Sequence, residues 1–171
     1  MKVYQAPNKV DWDLVFKPSK KSIFLAGGIS GCRDWQSDLI EELQNIHDSG
    51  MVDLSGLAIF NPRRETFDVT DESATIEQIK WEHKCLEECD ICSFFFPASK
   101  SVQPITLYEL GKHMGKHTSV VGIQKGYLRA EDVKIQLALD GDCCAIYDSY
   151  EEAIREHARA LAITYRNVRR N

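Results

Sequence analysis

Residues Ile91–Phe96 read Ile-Cys-Ser-Phe-Phe-Phe and stop at Pro97. Successive side chains of a strand point to opposite faces, so a run this apolar needs cover on both. Ile23–Ala26, Leu57–Phe60, Ser119–Ile123 and Ala145–Tyr147 are further short apolar runs, the second stopped by Asn61-Pro62. Helical patterns separate them. Leu39, Leu43 and Ile46 set the period of Trp35–Asp48, which Gly50 ends; Ile76, Ile79, His83 and Leu86 form one stripe of Ile76–Glu88. Pro104 opens a helix to about Lys116, at a favoured first-turn position. Ala130–Leu139 and Tyr150 to about Arg166 complete the series. Strands buried on both faces, alternating with helices, predict a parallel sheet between two helical layers. The expected fold is an α/β, flavodoxin-like three-layer sandwich, with a five-stranded parallel sheet in the order 2-1-3-4-5 set by right-handed crossovers.

The 171 residues suit a single domain, 1–171. Residues 1–20 read as an N-terminal arm, with Pro7, Pro18 and the basic run Lys17–Lys21, anchored by Trp12 and Phe16; residues 167–171 read as a basic, solvated tail. A net charge of −5 with no basic face argues against a nucleic-acid polymer as partner. No apolar run approaches the roughly 18–20 residues of a membrane span. Met1–Val10 has no apolar core of a signal peptide, so a cytoplasmic setting is expected, with cysteines as reduced thiols. Cys89 and Cys92 have C-x-x-C spacing in the wrong order for redox work, because a helix runs into Cys89 and a strand leaves through Cys92. Adding Cys85 makes three thiols without a second pair at zinc spacing, and the adjacent Cys143 and Cys144 suit opposite faces of a strand.

Ligands of an open parallel sheet bind beyond the carboxyl ends of its strands. That edge carries Gly27-Gly28-Ile29-Ser30-Gly31-Cys32-Arg33-Asp34, then Asn61-Pro62-Arg63-Arg64-Glu65, then Pro97–Gln103 with the Pro104 helix, then Gln124-Lys125-Gly126. The glycine loop admits close approach of backbone amides to a ligand, and a tight strand-to-helix turn accounts for the same glycines. It is neither of the glycine fingerprints of ATP and NAD sites. Arg63 and Arg64 present two guanidiniums for a phosphate or a carboxylate; Glu65, Asp68 and Asp71 are their candidate structural partners. Glu109 lies in the first turns of the Pro104 helix, off the stripe of Leu107, Leu110 and Met114. Glu82, at the margin of the preceding helix's stripe, neighbours Gln78, Cys85 and Cys89 by phase, so desolvation should disfavour its ionised form.

Taken together, Ile23–Gly28, Phe60-Asn61-Pro62-Arg63-Arg64, Trp81-Glu82, Cys89-Asp90-Ile91 and Tyr108-Glu109-Leu110-Gly111 resemble the nucleoside 2-deoxyribosyltransferase superfamily, in particular the 2-deoxyribosyltransferase-like branch with the N-P-R-R motif, over roughly Ser22–Ile123. The resemblance implies that Glu109 is the nucleophile. It attacks C1′ of a 2′-deoxynucleoside, forms a deoxyribosyl ester and yields the sugar to a second base or water with retention. A second carboxylate manages the proton on the base. The family's Asp stands eight residues before the Asp that leads into strand three, and counting back from Asp90 reaches Glu82. The helix N-terminus is expected to keep Glu109 ionised.

Besides Glu82, which is longer than the family's Asp, the chain departs from the family at three further positions. Phe24 stands where transferases often carry Tyr, and Gln103 where transferases place a sugar-binding Asp and monophosphate N-glycosidases a phosphate-binding Ser. Ser30 stands where those glycosidases use Arg, a role open to Arg33, Arg63 or Arg64. The substrate-binding set expected from the edge and the resemblance is Phe24, Gly27, Gly28, Ser30, Arg33, Trp35, Asn61, Arg63, Arg64, Ser101 and Gln103. The leading expectation is a nucleoside 2-deoxyribosyltransferase acting on a deoxynucleoside and a free base, without metal or organic cofactor, as a homodimer or larger homo-oligomer. The alternatives are a 2′-deoxynucleoside 5′-monophosphate N-glycosidase and a catalytically silent nucleotide-binding module.

Overall fold

The structure, a computed structural model, describes residues 1–17, 20–64 and 72–170. Its elements in chain order are β1 (Lys2–Gln5), α1 (Trp12–Val15), β2 (Lys21–Gly27), α2 (Trp35–Asp48), β3 (Leu57–Asn61), α3 (Glu72–Glu88), β4 (Ile91–Phe96), α4 (Pro104–His113), β5 (Thr118–Gln124), α5 (Ala130–Leu139), β6 (Ala145–Tyr147) and α6 (Tyr150–Arg170). The sheet is parallel throughout, in the order β1-β3-β2-β4-β5-β6. The five strands expected from the sequence keep their expected order, and the flavodoxin-like three-layer arrangement holds.

The sixth strand corrects the reading of the first twenty residues as an arm alone. Residues 2–5 pair with Ala58–Asn61 at the edge of the sheet. An edge strand bonds on one side only, and β1 buries little, so its four residues carry no apolar run to announce it. The anchoring aromatics do pack as expected. Tyr4 stacks on Phe60, and Trp12 stacks on both Phe16 and Phe60.

Alternation along the central strands divides the core in two. Phe24 and Ala26 of β2 join Cys92, Phe94 and Phe96 of β4 under α3, α4 and α5. Ile23, Leu25, Ile91 and Phe95 face α2 and α6 instead. At the amino ends of these strands, Asp90 accepts from the Ser22 amide and hydroxyl, both at 2.9 Å, and pairs with Lys21. This clamp pins the β2–β4 register. The strand order reverses between β2 and β4, so the loops leaving their carboxyl ends meet there.

The buried face of α3 differs from the expected stripe. Gln78, Trp81, Cys85 and Leu86 are buried, whereas Ile76 and Ile79 are 53% and 58% exposed and His83 is exposed. Two stripes run side by side on this helix, and the one that carries Trp81 takes the sheet. Cys85, Cys89 and Cys92 are buried, and burial pushes the Cys89 and Cys92 thiols up, away from the thiolate that redox chemistry needs.

On the other face, His157 of α6 is buried, with Nε2 2.8 Å from Ser93 Oγ. It lies against Gly122, where a Cβ would come within 2.5 Å of Nδ1. Burial lowers its pKa from 6.5 to about 3. The folded protein therefore holds a neutral imidazole that the unfolded chain protonates below about pH 6.5. This group's contribution is complete above that pH and is lost as pH falls toward 3, at about 1.4 kcal/mol per pH unit. Urea unfolding of His157→Gln between pH 7 and 4 should show a pH slope shallower by about one proton. An unchanged slope would assign the acid lability elsewhere.

Candidate active site

Where the loops after β2 and β4 meet, a cavity of about 320 Å³ opens. Phe24, Ala26 and Gly27–Ser30 form its β2 side. Pro62 closes it from β3, and Ser101 with Gln103–Thr106 brings in the start of α4. Glu82 of α3 and Glu109 of α4 reach it from the helical layer above Phe24. The volume lies in the range of small-ligand sites. Among the described residues no side chain caps the first turn of α4, so its leading amides are left for other acceptors. Among the described residues, no Lys or Arg lines the cavity.

The two carboxylates are electrostatically coupled. Burial and the neighbouring Glu82 charge push the Glu109 pKa up from 4.5 to about 8, and Lys112 offsets only part of this. The helix N-terminus therefore does not keep Glu109 ionised as expected. It sits half-buried in the second turn, where desolvation and a like charge outweigh the dipole. Burial also raises Glu82, opposed by a hydrogen bond from Gln78 and the charge of Arg64. Gln78 Nε2 donates to Glu82 Oε1 at 2.6 Å and to the Pro62 carbonyl at 2.8 Å, while its Oε1 accepts from Arg64 Nε. The guanidinium thus fixes the amide's orientation, and the amide fixes one oxygen of Glu82.

The glycine loop closes on the chain itself. The Trp35 indole is fully buried and donates to the Gly28 carbonyl at 2.9 Å, and the Gly28 amide donates to Gln103 Oε1 at 3.0 Å. Gln103 takes a left-handed backbone, φ 50°, and its Nε2 donates to the Pro97 carbonyl. Its carboxamide therefore ties the β2 loop to the β4 loop. A Cβ on Gly27 would stand 2.4 Å from both Phe95 O and Trp35 Cζ2. Neither can retreat within a packed core, so Gly27→Ala should cost about 2–3 kcal/mol of unfolding free energy. Chemical denaturation measures this; a loss under about 0.5 kcal/mol would mean that the loop is looser than its packing implies.

Of the residues expected to bind substrate, Phe24, Gly27, Gly28, Ser30, Ser101 and Gln103 line the cavity together with both glutamates. Arg33, Trp35, Asn61, Arg63 and Arg64 do not. Arg63 pairs with Asp34 at 3.0 Å and donates to Gln36 and to the Arg33 carbonyl. Arg33 pairs with Asp38 and lies over the Tyr150 ring. Asn61 Oδ1 accepts from the Arg63 amide, closing the turn after β3. Glu65, Asp68 and Asp71, the acids considered as partners for these arginines, lie outside the described residues.

The sequence model of the nucleoside 2-deoxyribosyltransferase-like family matches residues 20–127. The chain belongs to that family. A comparison with curated proteins found no match. The matched stretch contains every residue lining the cavity. Membership carries a nucleoside 2-deoxyribosyltransferase-like function in general terms, with a nucleoside or nucleotide as substrate. No described helix is long and apolar enough to cross a membrane. The expected substrate-binding set omitted Ala26, Ile29, Pro62 and Pro104–Thr106. Ile29, Pro62 and the start of the Pro104 helix stand in the segments that the sequence placed at this edge, whereas Ala26 lies inside the strand. Sequence reasoning met Gln78 as a neighbour of Glu82 by phase, without the link to Arg64.

Proposed function

We propose that the protein is a nucleoside 2-deoxyribosyltransferase that moves 2-deoxyribose between bases through an ester on Glu109. The observation that carries this reading is the pair of coupled carboxylates, delivered by two helices into one cavity at the switch point of the sheet. A Glu109 oxygen attacks C1′, and the C1′–N bond breaks with its electron pair going to the base. Glu82 delivers a proton to that base as it leaves. The ionised Glu109 also offsets the positive charge developing on the sugar ring. A second base then attacks C1′ from the vacated side, returning its proton to Glu82 and releasing Glu109, with net retention.

The raised pKa values set the working protonation state. Two buried carboxyl groups in one field share a proton near neutrality. The productive form has that proton on Glu82 and the charge on Glu109. Accordingly kcat/KM should be bell-shaped in pH, rising as the pair loses its first proton and falling above about 8, where the shared proton leaves and no general acid is left.

A neutral nucleoside suits the cavity better than a 5′-monophosphate. Arg63 and Arg33 are held by Asp34 and Asp38, and no cation lines the walls among the described residues. The Ser101 and Thr106 hydroxyls on the wall supply neutral polar contacts suited to sugar hydroxyls. Beside the site, Ile79, Ile105 and Tyr108 are 58%, 66% and 68% exposed along adjoining faces of α3 and α4. That apolar face supports self-association as part of the same proposal.

Intact-mass spectrometry after mixing with a 2′-deoxynucleoside tests the reading. A gain of one deoxyribosyl unit, discharged by adding a second free base, is expected. Free base released only from the monophosphate would favour the N-glycosidase. Thermal stabilisation by nucleoside, with neither adduct nor exchange, would favour a binding module.

A further inference from the structure

The carboxyl ends of α3 and α4 bring together a second cluster of side chains. Glu87 lies in the last turn of α3, His113 closes α4, and His117 follows four residues later. One donor atom from each lies within 4.8 Å of the others. His113 Nε2 stands 3.9 Å from Glu87 Oε1, and the two imidazole rings are 6.1 Å apart between centroids. His113 is completely buried, yet neither of its ring nitrogens has a hydrogen-bond partner among the described residues. A neutral imidazole has one donor and one acceptor, and an interior that satisfies neither needs an explanation.

We propose that Glu87, His113 and His117 form a site for a divalent transition-metal ion, zinc in particular, that ties α3 to α4. Two imidazoles and one carboxylate suit zinc, and not magnesium, which prefers an all-oxygen octahedron. Donors about 2.1 Å from a tetrahedral centre stand about 3.4 Å apart. The His113–Glu87 pair is therefore only about half an ångström too wide, a shift within reach of rotamer adjustment at Glu87. In the structure, Lys112 Nζ lies 3.3 Å from Glu87 Oε1 and 3.4 Å from His83 Nδ1. Its long, partly exposed side chain can swing outward when Glu87 turns to the metal. Lys112 and Lys116 both add positive charge here, so affinity should fall short of that of a four-ligand structural zinc site. The inference is independent of the proposed transfer reaction, and no step of that reaction passes through the metal.

The test is titration of chelator-treated protein with zinc and cobalt(II), read by calorimetry, melting temperature and cobalt absorption. Zinc should raise Tm, and magnesium at the same concentration should not. Cobalt should show d–d bands of a nitrogen and oxygen site without thiolate charge transfer. His117→Ala and Glu87→Gln, both at accessible positions, should each weaken binding about tenfold or more, and Lys112→Met should tighten it. Unchanged affinity in both ligand variants, a thiolate band pointing to Cys143 and Cys144, or no binding at millimolar zinc would overturn the proposal.

Discussion

Glu109→Ala should abolish turnover, lowering kcat by more than about a thousandfold, while circular dichroism and unfolding remain those of a folded protein. The carboxylate is the proposed attacking group, and among the described residues Glu82 is the only other one lining the cavity. Retention of more than about a tenth of wild-type kcat, a barrier change under about 1.4 kcal/mol, would remove Glu109 from the role of nucleophile. Glu109→Gln adds a second, opposite signature. The folded pKa of about 8 lies above the unfolded 4.5, so the fold opposes ionisation of this group. Its stability term is complete below about pH 4.5 and is lost as pH rises toward 8. A neutral amide escapes that loss, so Glu109→Gln should be the more stable protein at pH 7, by on the order of 2 kcal/mol. A variant that is both inactive and stabilised is what a strained catalytic group predicts. Equal stabilities across pH 5–8 would mean that the carboxylates are not coupled through a buried site.

Glu82→Gln should slow transfer from poor leaving bases by about a hundredfold or more, and from activated bases much less, because only the former need a proton as the bond breaks. It should also remove the alkaline limb of kcat/KM near 8, since the second carboxyl whose proton is lost there is gone. The two readouts separate two roles. Uniform slowing of all bases with the alkaline limb retained would leave Glu82 as a base-binding group outside the proton path. Gln78 gives the amide variant an additional effect: its Nε2, oriented by Arg64, donates to Glu82 Oε1, and an amide nitrogen placed there would meet a donor.

The arginines show how far a motif can be read without its surroundings. Two guanidiniums beside a glycine loop read naturally as a phosphate site. In the folded protein Arg63 braces Asp34, Gln36 and the Arg33 carbonyl, and Arg64 orients Gln78. They shape the cavity from behind. Gln103 likewise spends both ends of its carboxamide on the Gly28 amide and the Pro97 carbonyl. Sequence position put these residues at the right edge of the sheet, but which way each polar group turns depends on partners far away in the chain.

The sequence by itself determined the alternation of strands and helices, the order of five strands, the edge at which the chemistry gathers and both carboxylates. The alternation and the edge rest on local periodicity and on the short runs that end strands, which neighbouring residues encode; the strand order adds the handedness of crossovers, and the two carboxylates follow from the family resemblance. The tertiary structure alone decided the edge strand Lys2–Gln5, which buries too little to leave a pattern, and the choice between two stripes on α3. It decided the protonation of Glu109, because a pKa depends on the sum of burial and charge around a group, and Glu82 comes from another helix. The Glu87–His113–His117 cluster belongs to the same class: the two histidines lie four apart in sequence, but the carboxylate that completes them arrives only when α3 packs against α4.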